Sequence, residues 1–143
     1  MVISLRDLAI ARAAGKRRML QTEKTRWKMF EKQSEVGYMR AVDGIEQKTL
    51  VYGEKTLMVE FRLHKGAILP LHAHPHEQSG YLVSGWLRLT IGAEVHSVTP
   101  GDSWCIAGGV KHGAEILEDS VAVEVFAPVR KEYLPEPRRS ETV

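Results

Sequence analysis

Three of the chain's six histidines lie within five residues, in His72-Ala73-His74-Pro75-His76, and Glu77-Gln78 follows at once. Neutral imidazoles are good ligands for zinc, nickel, iron and other divalent transition metals, so this spacing raises the question of a metal site. In an extended segment, residues two apart project from the same face. His72 and His74 then point together, Gln78 shares their parity, and Glu77 points the other way. His76 has the right parity, but Pro75 before it turns the chain and directs it outward. A further ligand has to come from another strand. The bland alternative is a polar surface loop rich in histidine. It accounts for any one histidine better than for a pair at one-residue spacing with a polar ligand four residues on.

The surrounding sequence is built to present such a segment on strands. From Gln47 onward the apolar period is two. Leu57, Val59, Phe61 and Leu63 alternate with Met58, Glu60, Arg62 and His64, and Leu87, Leu89 and Ile91 alternate with Arg88 and Thr90. Val121, Val123 and Val125 stand opposite Ala122, Glu124 and Phe126. Turn-forming pairs such as Asp43-Gly44, Lys65-Gly66 and Ser84-Gly85, and the triplet Pro100-Gly101-Asp102, punctuate these runs. Many short strands at this spacing predict an all-β sandwich or barrel. Ahead of them, Ser4 and Asp7 resemble a capping box, and Leu5, Leu8, Ala9, Arg12 and Ala13 predict a short helix to about Arg18. The expected organisation is a helical or extended N-terminal segment over 1–40, a barrel over 41–130 and a Pro-rich polar tail over 131–143. Trp27, Met29 and Phe30 are expected to cover the outside of a sheet.

Composition narrows the function classes. At 143 residues, with 43% hydrophobic and 27% charged residues, the chain is long enough for one cored globular domain. No apolar run reaches a membrane span, and the first twenty residues lack the apolar core of a secretory signal. The single cysteine, Cys105, excludes an internal disulfide framework, fits a cytoplasmic protein, and reads as a buried small apolar residue. Residues 1–32 carry nine Lys/Arg against three Asp/Glu, whereas the rest carries eleven against fifteen. With no nucleic-acid motif beside it, the basic segment reads as a solvated face rather than a nucleic-acid site. His64 and His96 are expected to be exposed, and Asp102 to stabilise a turn.

The stretch Gly66-Ala-Ile-Leu-Pro-Leu-His72-Ala-His74-Pro-His-Glu-Gln78 through Gly85 resembles the first motif of the cupin family, with Gln78 where that motif has glutamate. Fifteen residues later, Gly101 through His112 resembles the second motif, with Gly101, Gly109 and His112 at matching positions. Ala107 stands in place of its proline and Ile116 in place of its asparagine. The two motifs together cover about residues 57–126. The resemblance implies a jelly-roll β-barrel holding one divalent transition metal (nickel, zinc, manganese or iron) through His72, His74 and His112, with Gln78 in place of the acid. An amide cancels none of the metal's charge, so such a centre would favour an anionic ligand and act as a Lewis acid.

Within the cupins, the His-Pro-His-Glu-Gln run and the end of the last strand are similar to the small group related to the pectin-degradation protein KdgF. That group carries a glutamine among its ligands and opens unsaturated uronate monosaccharides into linear keto forms. Its last strand ends Asp-Val-Phe-x-Pro-x-Arg, and this chain reads Glu124-Val-Phe126-Ala-Pro128-Val-Arg130. By this resemblance Arg130 grips a substrate carboxylate and Glu124, one methylene longer than the family aspartate, moves protons. Each also has a plainer reading, Glu124 as a surface acid and Arg130 as its ion-pair partner. Trp86, Trp104 and Tyr81 fit either a sugar-binding wall or core and dimer contacts. The expected function is a metal-dependent, non-oxidative enzyme on a small anionic sugar or keto acid. A metal-dependent dioxygenase and a non-catalytic small-ligand barrel are the alternatives, and a homodimer is expected because jelly rolls have edge strands to cover.

Overall fold

The protein is described by a computed structural model, which covers residues 27–136 here; the helix expected before Arg18 lies outside the described residues. Eight antiparallel strands follow in order: β1 Met39–Val42, β2 Ile45–Tyr52, β3 Leu57–Leu63, β4 Ile68–His72, β5 Glu77–Ile91, β6 Glu94–Val98, β7 Ser103–Ile106 and β8 His112–Ala127. A single 3-10 turn, Lys131–Tyr133, closes the described chain. No helix among the described residues is long and apolar enough to cross a membrane.

Strands β5 and β8 are longer than the alternation implied, 15 and 16 residues, and pair with each other along almost their whole length. Each serves two sheets. The 77–82 part of β5 and the 120–126 part of β8 are flanked by β7 and by β3, β2 and β1. The 87–91 and 112–116 parts are flanked by β6 and β4. The switch falls where the register slips, between Leu82 and Leu87. Gly85 sits there at φ +96, and a side chain on it would lie 2.1 Å from Ser120 Oγ. Only glycine fits this left-handed, crowded position. Ser120 Oγ accepts the Trp86 N–H at 3.1 Å and donates to the Glu118 carbonyl at 2.7 Å, which satisfies polar groups freed by the bulges.

The inner faces meet over Ile45, Leu63, Leu82, Leu87, Leu89, Val98, Ile116 and Ala122, all buried. This is the jelly-roll sandwich expected, and the predicted apolar faces of β3 and β5 are the ones that turn inward. On β8 the inner face is Ser120, Ala122, Glu124 and Phe126, while Val121, Val123 and Val125 face outward. Residues 28–38 cross the outside of β2 and β3, beginning with a Lys28–Tyr52 bridge. What holds them is polar. Lys48, 5% exposed, donates to the Ser34 carbonyl and hydroxyl at 2.9 Å, Tyr38 bonds Glu60, and Arg62 pairs with Glu35 at 2.7 Å. Trp27 is half-buried, but Met29 and Phe30 are exposed rather than packed on the sheet.

Cys105 is exposed, contrary to the expectation of burial. Strand β7 is short and paired only with β5, so the inward positions go to its neighbours: Trp104 is half-buried, Ile106 is buried, and Cys105 points out. His64 and His96 are exposed as expected, and Asp102 accepts the Thr99 N–H at 2.8 Å to close its turn.

Candidate metal centre and cavity

His72 ends β4 and lies opposite His112 at the start of β8. His74 stands in the 73–76 loop, and Gln78 is the second residue of β5. The histidines therefore do not share one regular strand. They converge because the loop reverses the chain between β4 and β5, and the loop is pinned by the Gly109 N–H donating to the His74 carbonyl at 2.8 Å. The result is that ligand atoms of His72, His74 and His112 all lie within 4.8 Å of one another. Glu77 is exposed, and His76 is not part of the cluster.

The outer hydrogen bonds fix which nitrogen faces the centre. His72 Nδ1 donates to the Pro70 carbonyl and His112 Nδ1 to the Val110 carbonyl, both at 2.8 Å, and His74 Nδ1 to the His76 carbonyl at 3.0 Å. A neutral ring then carries its lone pair on Nε2. Burial, with Arg130 as the next cause, lowers the pKa of His74, and burial lowers that of His112, which favours the neutral form. His112 is 1% exposed, and its Nε2 has no partner. His74 Nε2 faces Gln78 Oε1 at 2.9 Å, although both atoms present lone pairs. The Gln78 amide is held that way round because its Nε2 donates to Glu124 at 2.9 Å.

This donor set fits a divalent metal. Metal–ligand bonds of about 2.1 Å place two donor atoms about 3.0 Å apart in octahedral and about 3.4 Å apart in tetrahedral coordination, so the 2.9 Å between His74 and Gln78 suits donors to one cation. A cation there would turn a repulsive contact and an orphaned buried nitrogen into two ligand bonds. Gln78 is 5% exposed, so its oxygen has little water to satisfy it instead.

The cluster opens into a cavity of about 510 Å³ between the two sheets. One end is polar, with His72, Gln78, Glu124 and Arg130; the other is walled by Leu63, Leu69, Leu87, Leu89 and Ile116. Glu124 projects from β8 into the polar end and accepts from Gln78 and, at 3.3 Å, from Trp104 Nε1. Burial pushes its pKa up to about 7, against the lowering pull of Gln78, Trp104 and Arg130. Trp104 reaches Glu124 because Gly80 lies between them: a side chain on Gly80 would sit 2.1 Å from the indole. The sequence left Trp104 open between wall and core, and Gly80 is the residue whose missing side chain signals this contact. Trp86 is on the outside, its indole donating to Ser97 at 2.9 Å, and Tyr81 is exposed.

Arg130 follows β8 and is stacked over the rings of Tyr133, at 4.2 Å, and Phe126, at 5.4 Å. Its ion-pair partner is Glu132, at 2.8 Å, rather than Glu124. Tyr133, whose carbonyl accepts from Thr49, completes this end of the cavity and went unnoticed in the sequence.

Fold, motif glycines and ligand geometry together define a class, and the chain belongs to the cupin family. The family profile described as Cupin domain matches residues 59–127. Among individual proteins, the chain is 32% identical over 94 residues to the pectin degradation protein KdgF of Dickeya dadantii (strain 3937), covering 64% of this chain and 86% of that one. The solved structure of KdgF from Halomonas sp. superposes with a TM-score of 0.70 at 29% identity, covering 73% of this chain and 97% of that one. An RmlC-like cupin from Shewanella frigidimarina NCIMB 400 shares the fold, with a TM-score of 0.71 at 24% identity over 75% and 96% of the two chains. The oxalate decarboxylase OxdC of Bacillus subtilis (strain 168) is 34% identical over 88 residues, 58% of this chain but only 22% of that enzyme.

Proposed function

We propose that this chain is a metal-dependent cupin enzyme that converts a cyclic unsaturated uronate into its linear keto form without oxidation. The observation that carries the reading is the juxtaposition of three imidazoles and one amide with Glu124 and Arg130 in a single cavity. The similarity to KdgF, a pectin degradation protein, supports the substrate class. Opening such a ring is an isomerisation: a proton leaves the anomeric hydroxyl, the ring C–O bond breaks, and a proton arrives at the vinylic carbon. No water or oxidant is consumed.

Held by His72, His74, Gln78 and His112, a divalent metal would supply Lewis-acid polarisation of a substrate oxygen. Arg130 binds the substrate carboxylate through its guanidinium, which the Tyr133 and Phe126 rings and Glu132 hold in place. Glu124 takes the hydroxyl proton and returns one to carbon, a double duty open to a carboxyl whose burial raises its pKa above the usual carboxylate range. The Gln78 and Trp104 N–H groups aim its carboxylate, and the apolar wall keeps bulk water from the enol that forms.

The test is to give the metal-loaded chain the unsaturated monosaccharides released by a pectate or alginate lyase. Faster loss of the ring double bond's ultraviolet absorbance, with the keto product in the NMR spectrum, is the expected result. A rate equal to the buffer control sinks the reading, and oxygen consumed in step with substrate sinks its non-oxidative part.

A further inference from the structure

The cavity's lining includes a neutral polar side chain that none of the steps above uses. Gln47 lies on β2 between Ile45 and Thr49 and faces inward, opposite Phe61 of β3. Gln47 lines the cavity, but its Oε1 is turned into the wall, buried and without a hydrogen-bond partner among the described residues, so a turn of the side-chain amide is needed to bring it to a cavity ligand. The strand register places it. One row across the sheet runs Thr49, Val59, Glu124 and Gly80, and the next, deeper row runs Gln47, Phe61, Ala122 and Leu82. Gln47 and Glu124 stand on neighbouring rows, about 7 Å apart along the strands and about 10 Å apart across them, and both side chains line the same cavity, so an acid lying between them can be reached from both sides.

A buried carbonyl oxygen without a partner is destabilising, and the cost is recovered only when a donor arrives. Glu124, Arg130 and Arg40 are charged, Gln78 faces the histidine cluster and the Trp104 N–H is taken by Glu124, whereas the Gln47 carboxamide matches a neutral group that both donates and accepts. A hydroxyl is that group. We propose that Gln47 is a specificity-determining residue that hydrogen-bonds a hydroxyl of the bound acid, so that the cavity selects polyhydroxylated acids over deoxygenated acids of equal charge and length. This rests on the reading that the cavity holds a small organic anion at its Arg130 end.

Two six-carbon monocarboxylates separate the possibilities: gluconate, which is polyhydroxylated, and hexanoate, which is not. Calorimetric titration of both into the full metal-loaded chain is compared with Gln47→Met, which keeps the length and removes the amide, and with Gln47→Glu, which keeps an acceptor. In the wild type gluconate binds more tightly than hexanoate. Gln47→Met is expected to weaken gluconate about 10-fold, the scale of one neutral hydrogen bond, and to leave hexanoate unchanged or tighter. The ligand-free Gln47→Met chain should also melt several degrees higher, because the orphaned acceptor is gone. Gln47→Glu places a carboxylate in the same wall and should repel both anions.

Gluconate binding that is unchanged in Gln47→Met, as when only water occupies the amide, overturns the inference. An equal loss for both acids overturns it too, since the effect is then one of shape. If the wild type binds neither acid, the anion-site reading itself fails and the inference falls with it. A loss of hexanoate binding in Arg130→Met with gluconate still sensitive to Gln47 supports both.

Discussion

Two clusters of polar side chains, one outside β2 and β3 and one lining the cavity within, differ in one respect. On the outside of β2 and β3, Lys48, Glu60, Arg62, Tyr38 and Ser34 find partners in one another and in the crossing 28–38 segment. On the inside, His112 Nε2 and Gln47 Oε1 have no partner, and His74 and Gln78 turn lone pairs toward each other. Neighbours in sequence, Gln47 and Lys48, belong one to each. A cluster that completes its own hydrogen bonds holds a segment in place; one left incomplete while buried is waiting for something that is not protein.

The comparison breaks most sharply at the metal ligands. His112→Ala should lower metal affinity by more than about 100-fold, beyond the loss typical of an outer hydrogen bond, and abolish turnover. Metal analysis after dialysis reads the first and the uronate assay the second. Glu124→Gln should keep metal content and lower the turnover number by about 10² to 10⁴. An unchanged rate would remove Glu124 from the chemistry and leave it as filler beside Gln78.

The third expectation concerns pH in the metal-free chain. The Glu124 carboxyl titrates near 4.5 when unfolded and near 7 when folded, so between those values the folded state holds a proton that the unfolded state has released. Stability should therefore fall as pH rises from about 4.5 to 7 and then level off. The full span amounts to roughly 3 kcal/mol. Denaturant unfolding of chelator-treated wild type against Glu124→Gln isolates this contribution, which should be missing from the variant. Smallest is the outer cluster: Lys48→Met should cost about 1–3 kcal/mol by leaving the Ser34 and Glu31 groups underpaired, with the turnover number unchanged. If that variant loses turnover while remaining folded, the division between the two faces is wrong.

Much of the inner face was legible in the chain. Period-two runs give β3 and the second half of β5, and motif spacing brings His72, His74 and His112 into one reading with Gln78. What local pattern does not carry is which strand lies beside which. That β5 and β8 are single bent strands serving two sheets depends on Gly85 meeting Ser120, 35 positions away. The Trp104–Glu124 contact depends on Gly80 from a third strand, and Arg130 takes Glu132 because the 3-10 turn folds that acid back upon it. Cys105 misled for a related reason: its residue type favours burial, but β7 is too short to give both faces a neighbour.

The continuous pairing of β5 with β8 has a consequence for the rate at which a metal would come and go. Gln78 and His112 are anchored on these two strands, and His72 is paired to His112. Long, centrally paired strands open last, so Gln78 and His112 are as slow to move as the whole domain, and His72, at the end of the short strand β4, is tied to them through its pairing with His112. His74 alone stands in a loop, between Ala73 and His76. A bound metal would then exchange by excursions of that short loop, on a clock set by the Gly109–His74 hydrogen bond and largely independent of global unfolding.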